Sequence, residues 1–408
     1  MIAVASSVAR ASIDDNRPFV RVPISNPAPD PFHAPAPTPD DLKVRAAVDR
    51  GLAFIVSLQQ PDGCWRNDAG QKIGEGYVRN ELDVPHIGVT ALCCMALVAG
   101  GNAPDQGRYA SNVRLGLDFL IQNQDRSGQI KVLGSRMYDH AFATLFLAEI
   151  FGMTRDSRIK KALQEATAFI VRNQVGVTIK PDGGGPEDGN QADPERDKAR
   201  TGDNWGGWRY EPKQLDADMS ITVCQLQALR AARNVGIAVP KVSIEAAREY
   251  VVGNYNDDDG SFAYQPQFRY NRVSFALSAA GIVALQSAGR YDSYRDGDRL
   301  IDLRKALNYL HQQRPDQASN FQPRNCAFGF WYGHYYAAQA VHQYKEVNPK
   351  MWQVWNDKNR RHFLAMQRGN GSWIDEIGTW DEKRNAYATA MACLILSIQN
   401  NYLPIFQA

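Results

Sequence analysis

The feature that most constrains the fold is a sixfold alternation of two kinds of helix-forming segment. Segments of the first kind are amphipathic and carry charged residues on one face, whereas segments of the second kind are apolar nearly all round. A half-polar helix faces water on one side, but a helix that is apolar all round must be enclosed by protein. The alternation therefore predicts an all-α chain folded as a closed double ring, an (α/α)6 barrel, with the apolar helices inside.

The segments have similar lengths, and the longest gap between two of them, residues 175–219, includes an insertion. The amphipathic segments cover residues 43–59, 112–124, 158–174, 243–255, 302–313 and 353–367. The apolar segments cover residues 88–100, 141–152, 220–232, 273–286, 334–344 and 385–397. An open solenoid of helix pairs is the competing arrangement, but second helices that are apolar on every side favour a closed ring.

Domain boundaries follow from shifts in composition. Residues 1–40 are rich in Pro, Asp and Ser, which predicts a disordered N-terminal segment. Residues 41–408 are predicted to form a single barrel of six helical hairpins. A Gly-, Asp- and Pro-rich insertion at residues 175–204 joins an outer helix to the next inner helix. This insertion is expected to be either a mobile lid over a binding site or a disordered surface loop.

The bulk composition excludes several classes of protein. The 408 residues have a formal net charge of +2, so the charge gives no indication of nucleic acid as a partner. No apolar run reaches the ~20 residues that a membrane span needs, and the N-terminus lacks a long signal-peptide core. The six cysteines form no CxxC pair and are expected to be buried thiols. We expect a cytoplasmic protein, with peripheral membrane contact left open.

A short pattern recurs where each amphipathic segment ends. The first copy, RGLAFIVSLQQPDGCW, ends in Gln59, Gly63 and Trp65, and the last copy ends in Gln367, Gly371 and Trp373. The four copies between them are incomplete. Gln can hydrogen-bond free backbone groups at the helix end, Gly permits a sharp turn, and Trp can pack over that turn. We interpret these residues as structural.

This pattern resembles the QW motif of the prenyltransferase and squalene oxidase repeat superfamily, over roughly residues 42–400. That superfamily includes squalene–hopene cyclases, other class II terpene cyclases and protein prenyltransferase β subunits. The resemblance implies the toroid fold. It does not distinguish between the reactions that members of the superfamily catalyse.

Polar residues stand where the inner helices are expected to begin. Aligning the apolar segments places His86, Asp139, Asp218, Arg272 and His334 at roughly equivalent positions, with Tyr335 beside the last of them. Each residue alone fits a helix-capping role. Together they predict a polar ring at the mouth of an apolar cavity, which is typical of a binding site.

The segment Asp216-Ala217-Asp218 is the strongest candidate for catalysis. In the squalene and class II terpene cyclases that the chain resembles, an Asp-x-Asp-Asp motif stands here, and its middle Asp protonates an alkene or an epoxide. The resemblance implies that Asp218 is the acid and that Asp216 assists it. Met219 replaces the third Asp, which weakens this interpretation. A plain pair of capping residues is the alternative.

A metal site is not expected. Prenyl transfer in the same superfamily requires zinc held by an Asp, a Cys two residues later and a distant His. Cys326 lies in a region that is faintly similar, but Arg324 precedes it by two residues and His334 lies elsewhere in the pattern. We therefore predict no metal and no cofactor.

Aromatic residues could line the cavity. Trp208, Trp331 and Tyr335 are predicted to contact the substrate, where an aromatic face would stabilise a carbocation by cation–π attraction. Ordinary core packing is the alternative interpretation.

Three functions remain open from the sequence. The leading hypothesis is a terpene-cyclase-like protein that binds a long isoprenoid or similar lipid-like molecule and cyclises it by protonation from Asp218. The second is a non-catalytic repeat scaffold that binds a lipid, a glycan or a protein. The third is a carbohydrate-active (α/α)6 enzyme with Asp139 and Asp218 as its carboxylate pair. An aliphatic cavity would favour an isoprenoid, and an open groove with exposed Trp would favour a sugar.

Overall fold

Two kinds of helix alternate along the chain, as the sequence predicts. The computed structural model describes residues 38–73, 76–177, 202–315, 329–374, 384–400 and Leu403. The outer helices are α1 (Pro39–Leu58), α3 (Ala110–Gln122), α5 (Ser157–Arg172), α7 (Lys241–Gly253), α9 (Leu303–Gln313) and α11 (Pro349–Met366). The inner helices are α2 (Ile87–Ala99), α4 (Met137–Thr154), α6 (Met219–Asn234), α8 (Phe275–Ser287), α10 (Phe330–Gln343) and α12 (Ala386–Ser397).

The inner helices form a closed ring. Each inner helix contacts the next one in chain order, from α2 through α4, α6, α8 and α10 to α12, and α12 packs back against α2. The outer helices pack on the outside of this ring. Helices α5, α7, α9 and α11 each contact two inner helices, and α3 contacts α2. Helix α1 contacts α12, where the Cys393 thiol lies 4.0 Å from Val48 O. The fold is thus the predicted all-α (α/α)6 barrel, and an open solenoid is excluded by the contact between α12 and α2.

Burial follows the two kinds of helix. Every residue of α2 is buried, from Ile87 to Ala99. The outer helix α9 buries Leu303, Ala306, Leu307 and Leu310, which recur at the spacing of one helical face. The outer helices therefore present one apolar stripe to the ring, while the inner helices are enclosed on all sides.

The same hydrogen bonds recur at several junctions between an outer helix and the next inner helix, and the first junction shows them. Nε2 of Gln59 donates to Gly63 O at 3.0 Å and to Asn112 O, on the next outer helix, at 2.9 Å. Nε1 of Trp65 donates to Ile55 O at 2.8 Å. The predicted structural role of these residues is confirmed, because each side chain satisfies backbone groups that the helix end leaves open.

The last repeat is built in the same way. Gln367 donates to Gly371 O at 2.9 Å and to Ala47 O at 2.8 Å, which joins the last hairpin to the first. Nε1 of Trp373 donates to Phe363 O at 2.7 Å. The chain therefore closes the ring with hydrogen bonds as well as with apolar contacts.

Two antiparallel hairpins add to the helices. Strands β1 (Arg66–Ile73) and β2 (Gly76–Pro85) lie between α1 and α2, and β3 (Tyr294–Asp296) and β4 (Arg299–Ile301) lie between α8 and α9. The sequence reading predicted helices only, because short strands in connecting loops carry little periodic signal.

The chain divides into two units, Met1–Leu42 and Lys43–Ala408. Of the predicted disordered segment, residues 1–37 lie outside the described residues, and α1 begins at Pro39. The five described cysteines carry buried thiols, as predicted: Cys64, Cys93, Cys94, Cys224 and Cys393. Within the described ranges, no helix is both long enough and apolar enough to cross a membrane.

Candidate functional site

The inner helices begin at the same end of the ring, which we call the mouth. The residues immediately before them are His86, Arg136, Asp218, Ser274, Gly329 and Asn385. Of the polar ring predicted from the sequence, His86 and Asp218 occupy these positions. Asp139 is instead the third residue of α4, Arg272 lies two residues before Ser274, and His334 is the fifth residue of α10.

The reason for this difference is where two helices start. Helices α4 and α10 begin at Met137 and Phe330, about one turn before the apolar segments that the sequence reading assigned to them. The sequence prediction placed Asp139 just before one helix and His334 at the first residue of the other, so it began both helices about one turn too late.

Asp218 is fully enclosed at the start of α6. Its side chain is 0% exposed, and Oδ1 caps the helix by accepting a hydrogen bond from Ile221 N at 3.0 Å. The same oxygen accepts from the Ser220 hydroxyl at 2.5 Å, and Oδ2 lies 3.4 Å from Nη1 of Arg209. The capping role that the sequence left open is therefore present, together with a charged partner.

Arg209 connects the two Asp residues of the motif. Its Nε lies 3.1 Å from Oδ2 of Asp216, and its Nη1 donates to the Tyr264 hydroxyl at 3.1 Å. The Asp216 side chain is 47% exposed, so this ion pair is open to solvent, unlike the contact with Asp218. Asp216 is thus linked to Asp218 through Arg209.

Tyrosine side chains surround this group. The hydroxyls of Tyr210 and Tyr264 are 2.8 Å apart. The guanidinium of Arg209 lies over both rings, 5.0 Å from the centroid of Tyr210 and 5.5 Å from that of Tyr264. The guanidinium of Arg272 lies 4.9 Å from the centroid of the Tyr264 ring. Arg272, which the sequence predicted for the site, thus joins it through Tyr264. We call Asp218, Arg209, Tyr210 and Tyr264 the acid cluster.

Burial raises the pKa values of the acidic groups in the acid cluster. Burial raises the pKa of Asp218, and the hydrogen bond from Ser220 and the charge of Arg209 lower it by less, so the net direction is upward. Burial, with the charge of Asp218, raises the pKa of Tyr210 to about 12. Asp218 therefore holds a proton more readily than an exposed Asp, and Tyr210 remains a neutral hydroxyl at physiological pH.

Met219 lies between α6 and α8. Its side chain is 0% exposed, and its backbone N donates to Tyr264 O at 2.9 Å. The methyl group packs against Gly281 so closely that a Cβ on that glycine would lie 2.9 Å from it. The position where the resembling cyclases carry a third Asp is therefore an apolar packing position in this chain.

Asp139 and His86 form a separate clip between α2 and α4. Oδ1 of Asp139 lies 3.0 Å from Nδ1 of His86 and accepts from Gly88 N at 2.9 Å, while Oδ2 accepts from Arg136 N at 2.7 Å. Burial alone would raise the pKa of Asp139, but His86 and the two backbone N–H groups lower it further than burial raises it. The lowered pKa favours the ionised form of Asp139.

Trp208 completes the third repeat. It is 0% exposed, and its Nε1 donates to Ile170 O at 2.8 Å, in the same relation as Trp65 to Ile55. Gln174 donates to Gly206 O at 2.8 Å, so the Gln–Gly–Trp junction is complete although residues 175–204 are inserted within it. Residues 178–201 of the predicted lid lie outside the described residues.

Trp331 and His334 face the outer layer rather than the centre of the ring. Nε1 of Trp331 donates to Ile374 O at 3.1 Å, and its ring centroid is 5.5 Å from that of Phe363 on α11. The His334 ring is 5.2 Å from that of Phe363, and burial lowers its pKa well below the usual range. Tyr335, by contrast, is held near Glu149 of α4, whose charge adds to the effect of burial and raises the tyrosine pKa.

The sequence reading missed Arg209 and Tyr264 altogether. Arg209 follows Trp208 directly, and once Trp208 is recognised as the repeat tryptophan, the two residues after it are expected at the mouth. Tyr264 follows Phe262, which fills the tryptophan position of the fourth repeat and whose N donates to Ser278 Oγ at 2.9 Å. Position relative to each repeat tryptophan was therefore the available signal.

A cavity of about 560 Å³ lies at the rim of the mouth, between the β1–β2 hairpin, the end of α1 and the start of α12. Among the residues that the structure describes, the cavity is lined by Phe54, Leu58, Asn67 and Asn385 with others. None of the predicted catalytic or substrate-binding residues is among them. Among the residues that the structure describes, no group of three or more His, Cys, Asp or Glu side chains could hold a metal ion. Cys326, weighed above as a zinc ligand, lies outside the described residues.

Solved structures share this architecture. No family model and no curated protein matches the sequence. A variant of the type II terpene cyclase MstE from Scytonema, in complex with geranylgeranyl dihydroxybenzoate, superposes with a TM-score of 0.54 at 13% identity, covering 90% of this chain and 99% of that one. The chain is therefore similar in fold to terpene cyclases of the toroid type.

Glycoside hydrolases are equally similar. An inactive α-1,6-mannanase variant of Salegentibacter, in complex with α-1,6-mannotriose, gives a TM-score of 0.56 at 9% identity over 87% of this chain and 98% of that one. A family 76 mannosidase from Bacteroides thetaiotaomicron gives 0.54 at 9% identity over 88% and 98% of the two chains. At these identities the likeness establishes the (α/α)6 toroid and does not select between the two chemistries.

Proposed function

We propose that this protein binds a ligand with an isoprenoid chain at the mouth of the barrel and that Asp218 protonates it to start ring closure. The observation that carries the proposal is the state of Asp218, a fully buried carboxyl whose pKa is raised by burial. A proton donor must hold its proton at the working pH and must be shielded from water. Asp139, with its lowered pKa, does not meet the first requirement.

The surroundings of Asp218 support a cationic reaction. Aromatic faces stabilise a nearby cation, by about 1–2 kcal/mol each when water is excluded. Tyr138, Tyr210 and Tyr264 are close enough to Asp218 for its charge to raise their pKa values, and Tyr332 lies 6.3 Å from the ring of Tyr138. A carbocation formed beside Asp218 would therefore meet tyrosine rings from several loops and helices.

The proposed reaction is an isomerisation. The Asp218 proton adds to a terminal alkene carbon, and the resulting cation is attacked by the π electrons of the next double bond, which closes a ring. The last cation loses a proton, and Asp218 is reprotonated from solvent. Asp216 and Arg209 position the acid, because Arg209 bonds both carboxylates.

Apolar side chains at the mouth fit a lipid-like ligand. Four side chains there are each more than 60% exposed: Leu82 in strand β2, before α2, and Leu133, Leu215 and Tyr270 in the connections before α4, α6 and α8. A ring of such side chains gives an isoprenoid an apolar path to the barrel. Contact with a membrane surface stays a prediction.

A second candidate function is a non-catalytic ligand-binding scaffold. It is favoured by the partners of Asp218, since Oδ1 already accepts from Ser220 and Ile221 and Oδ2 faces Arg209. The carbohydrate alternative has less support. Exposed Trp was its expected feature, and none of the described tryptophans is fully exposed. Trp205 and Trp352 are partly buried, and the others are buried: Trp65, Trp208, Trp331, Trp355 and Trp373.

Product analysis tests the proposal. Purified protein is incubated with squalene, with linear prenyl diphosphates and with prenylated hydroxybenzoates, and products are analysed by mass spectrometry. We expect a cyclic product that Asp218→Asn abolishes, because the amide keeps the cap but supplies no acidic proton. Asp156→Asn is the matched control, since Asp156 also caps a helix but stands before the outer helix α5.

The other outcomes are equally informative. Binding without any product in the wild type would support the scaffold and reject the acid role of Asp218. If no isoprenoid binds while the folded structure is intact, the whole proposal is wrong.

A further inference from the structure

Two inner helices carry matching rows of polar side chains. Ser220, Cys224 and Gln227 recur on α6 at intervals of four and three residues, and Tyr332, Tyr336 and Gln339 recur on α10 at the same intervals. This spacing places each row on a single helical face. Polar rows are unusual in helices that are enclosed on every side, so the two faces require an explanation.

The two rows meet each other across the centre of the ring. The Tyr332 hydroxyl donates to Ser220 O at 3.0 Å, and the Tyr336 hydroxyl donates to Gln227 Oε1 at 3.2 Å. Nε2 of Gln227 donates to Gln339 Oε1 at 2.7 Å. Helix α8 stands between α6 and α10 in the ring, so these bonds cross the lumen rather than a helix–helix seam.

The side chains that meet between these two helices are buried as well as hydrogen-bonded to one another. Tyr336 is 0% exposed, and Gln227 and Gln339 are each 1% exposed. The Cys224 thiol lies 3.3 Å from the Tyr336 hydroxyl, and burial raises its pKa to about 12, so it remains a neutral thiol. We call Ser220, Cys224, Gln227, Tyr332, Tyr336 and Gln339 the cross-lumen layer.

The layer lies a short way below the acid cluster. Asp218 precedes α6, and Cys224 is six residues further along the chain, which is about 9 Å at the rise of an α-helix. The Tyr138 ring of α4 lies 6.3 Å from that of Tyr332, so tyrosine rings also close the side of the lumen next to α4. A chain entering at the mouth therefore meets an obstacle soon after it passes Asp218.

We propose that the cross-lumen layer is the floor of the ligand site and that Tyr336 is a specificity-determining residue that limits the length of isoprenoid accepted. The inference rests on the proposed function, since it assumes an isoprenoid at the mouth. It refines the substrate class, because a short linear chain fits above the floor and squalene does not. Tyr336 is central because its ring fills the layer, with its centroid 4.6 Å from that of Tyr332 and 5.0 Å from that of Tyr335.

Binding measurements with a chain-length series test this. Affinities for geraniol, farnesol, geranylgeraniol and squalene are measured by equilibrium dialysis on the wild type, Tyr336→Ala and Tyr336→Phe. The wild type is expected to bind farnesol at least about tenfold more tightly than squalene. Tyr336→Ala should remove or reverse this preference, because it opens the floor. Tyr336→Phe keeps the ring and should leave the preference unchanged.

A second variant separates the loss of the floor from a loss of folding. Gln339→Ala removes a smaller side chain of the same layer and should shift the preference in the same direction as Tyr336→Ala, with folding checked by circular dichroism. Equal affinity of the wild type for every chain length, or the same preference in the wild type and both alanine variants, would overturn the floor while leaving the proposed function intact. If the wild type binds no isoprenoid at all, both proposals fail.

Discussion

Asp139 and Asp218 stand at the starts of neighbouring inner helices, and folding moves their pKa values in opposite directions. Asp139 is 5% exposed and Asp218 is 0% exposed, so burial pushes both values upward. Asp139 overcomes this effect with two backbone N–H donors and His86 at 3.0 Å. Asp218 has one backbone donor on its side chain at 3.0 Å, a hydroxyl, and Arg209 at 3.4 Å.

The difference shows what separates a structural carboxylate from a candidate acid in this barrel. Each carboxyl has at least three hydrogen-bonding or charged partners, but Arg209 also bonds Asp216 and Tyr264, so the charge beside Asp218 is shared. Burial alone does not decide the protonation state. The kind of partner and its distance, 3.0 Å for His86 and 3.4 Å for Arg209, act together with burial.

The largest expected effect comes from removing the clip between α2 and α4. Asp139→Ala leaves two backbone N–H groups and His86 without their acceptor, and we expect the free energy of unfolding to fall by about 3–5 kcal/mol. Denaturant unfolding followed by tryptophan fluorescence measures the change.

A surface ion pair provides the control for this clip. Asp118 pairs with Arg158 at 2.7 Å, and the two side chains are 31% and 53% exposed, so Asp118→Ala is expected to cost under about 1 kcal/mol. Equal costs for the two variants would show that the buried clip is not a special source of stability.

A smaller effect is expected from Arg209→Leu. The loss of its charged hydrogen bonds should cost about 2–3 kcal/mol where Asp218 is ionised, because the carboxylate is then left buried without a cation. The cost should shrink as the pH falls through the folded pKa of Asp218, since a protonated carboxyl needs no cation. Unfolding at a series of pH values from acid to alkaline checks this, with the exposed Arg158→Leu as the control. A cost that does not depend on pH would contradict the coupling of Arg209 to Asp218.

The smallest effect on stability is expected from Asp218→Asn. Asn caps a helix as well as Asp does, so the change at neutral pH should stay within about 1 kcal/mol. The pKa of Asp218 is raised on folding, so its contribution to stability is fully present below the unfolded value of about 3.9. That contribution is lost as the pH rises through the folded pKa. The variant should therefore gain stability relative to the wild type as the pH rises.

Asp139→Asn should show the opposite dependence on pH. The pKa of Asp139 is lowered on folding, so its contribution is present above about 3.9 and is lost as the pH falls through the folded value. The deficit of this variant should therefore shrink in acid. Denaturation curves at a series of pH values give, for each variant, the change in relative stability with pH. Changes of the same sign would contradict the opposite pKa shifts of Asp139 and Asp218.

Much of the architecture is readable from local sequence. The alternation of amphipathic and apolar segments predicts the double ring, because a 3.6-residue period with one charged face is a local property. Gln59 with Trp65 and Gln367 with Trp373 predict the junctions, since each bonds backbone within a few residues of itself. Trp208 was harder to assign, because residues 175–204 separate it from Gln174.

The site is only partly readable. Asp216 and Asp218 were predicted from their position before an inner helix, and Asp218 does precede α6. The only local signal for Tyr264 was its position two residues after Phe262, because it reaches the acid cluster from a loop more than forty residues further along the chain. His334 and Trp331 lie on an inner helix but face α11, which their sequence neighbours do not reveal.

The sequence by itself determined the number of helices, their division into two layers and the junctions between them, because these depend on periods and motifs within one hairpin. The tertiary structure alone decided which residues of the inner helices face the lumen. A helix that is apolar on every side has no preferred rotation about its own axis, so the sequence does not encode which face turns inward. Packing in the closed ring sets that rotation. It brings Tyr336 to Gln227 across the lumen, and it leaves Asp218 buried beside a cation that it shares with Asp216.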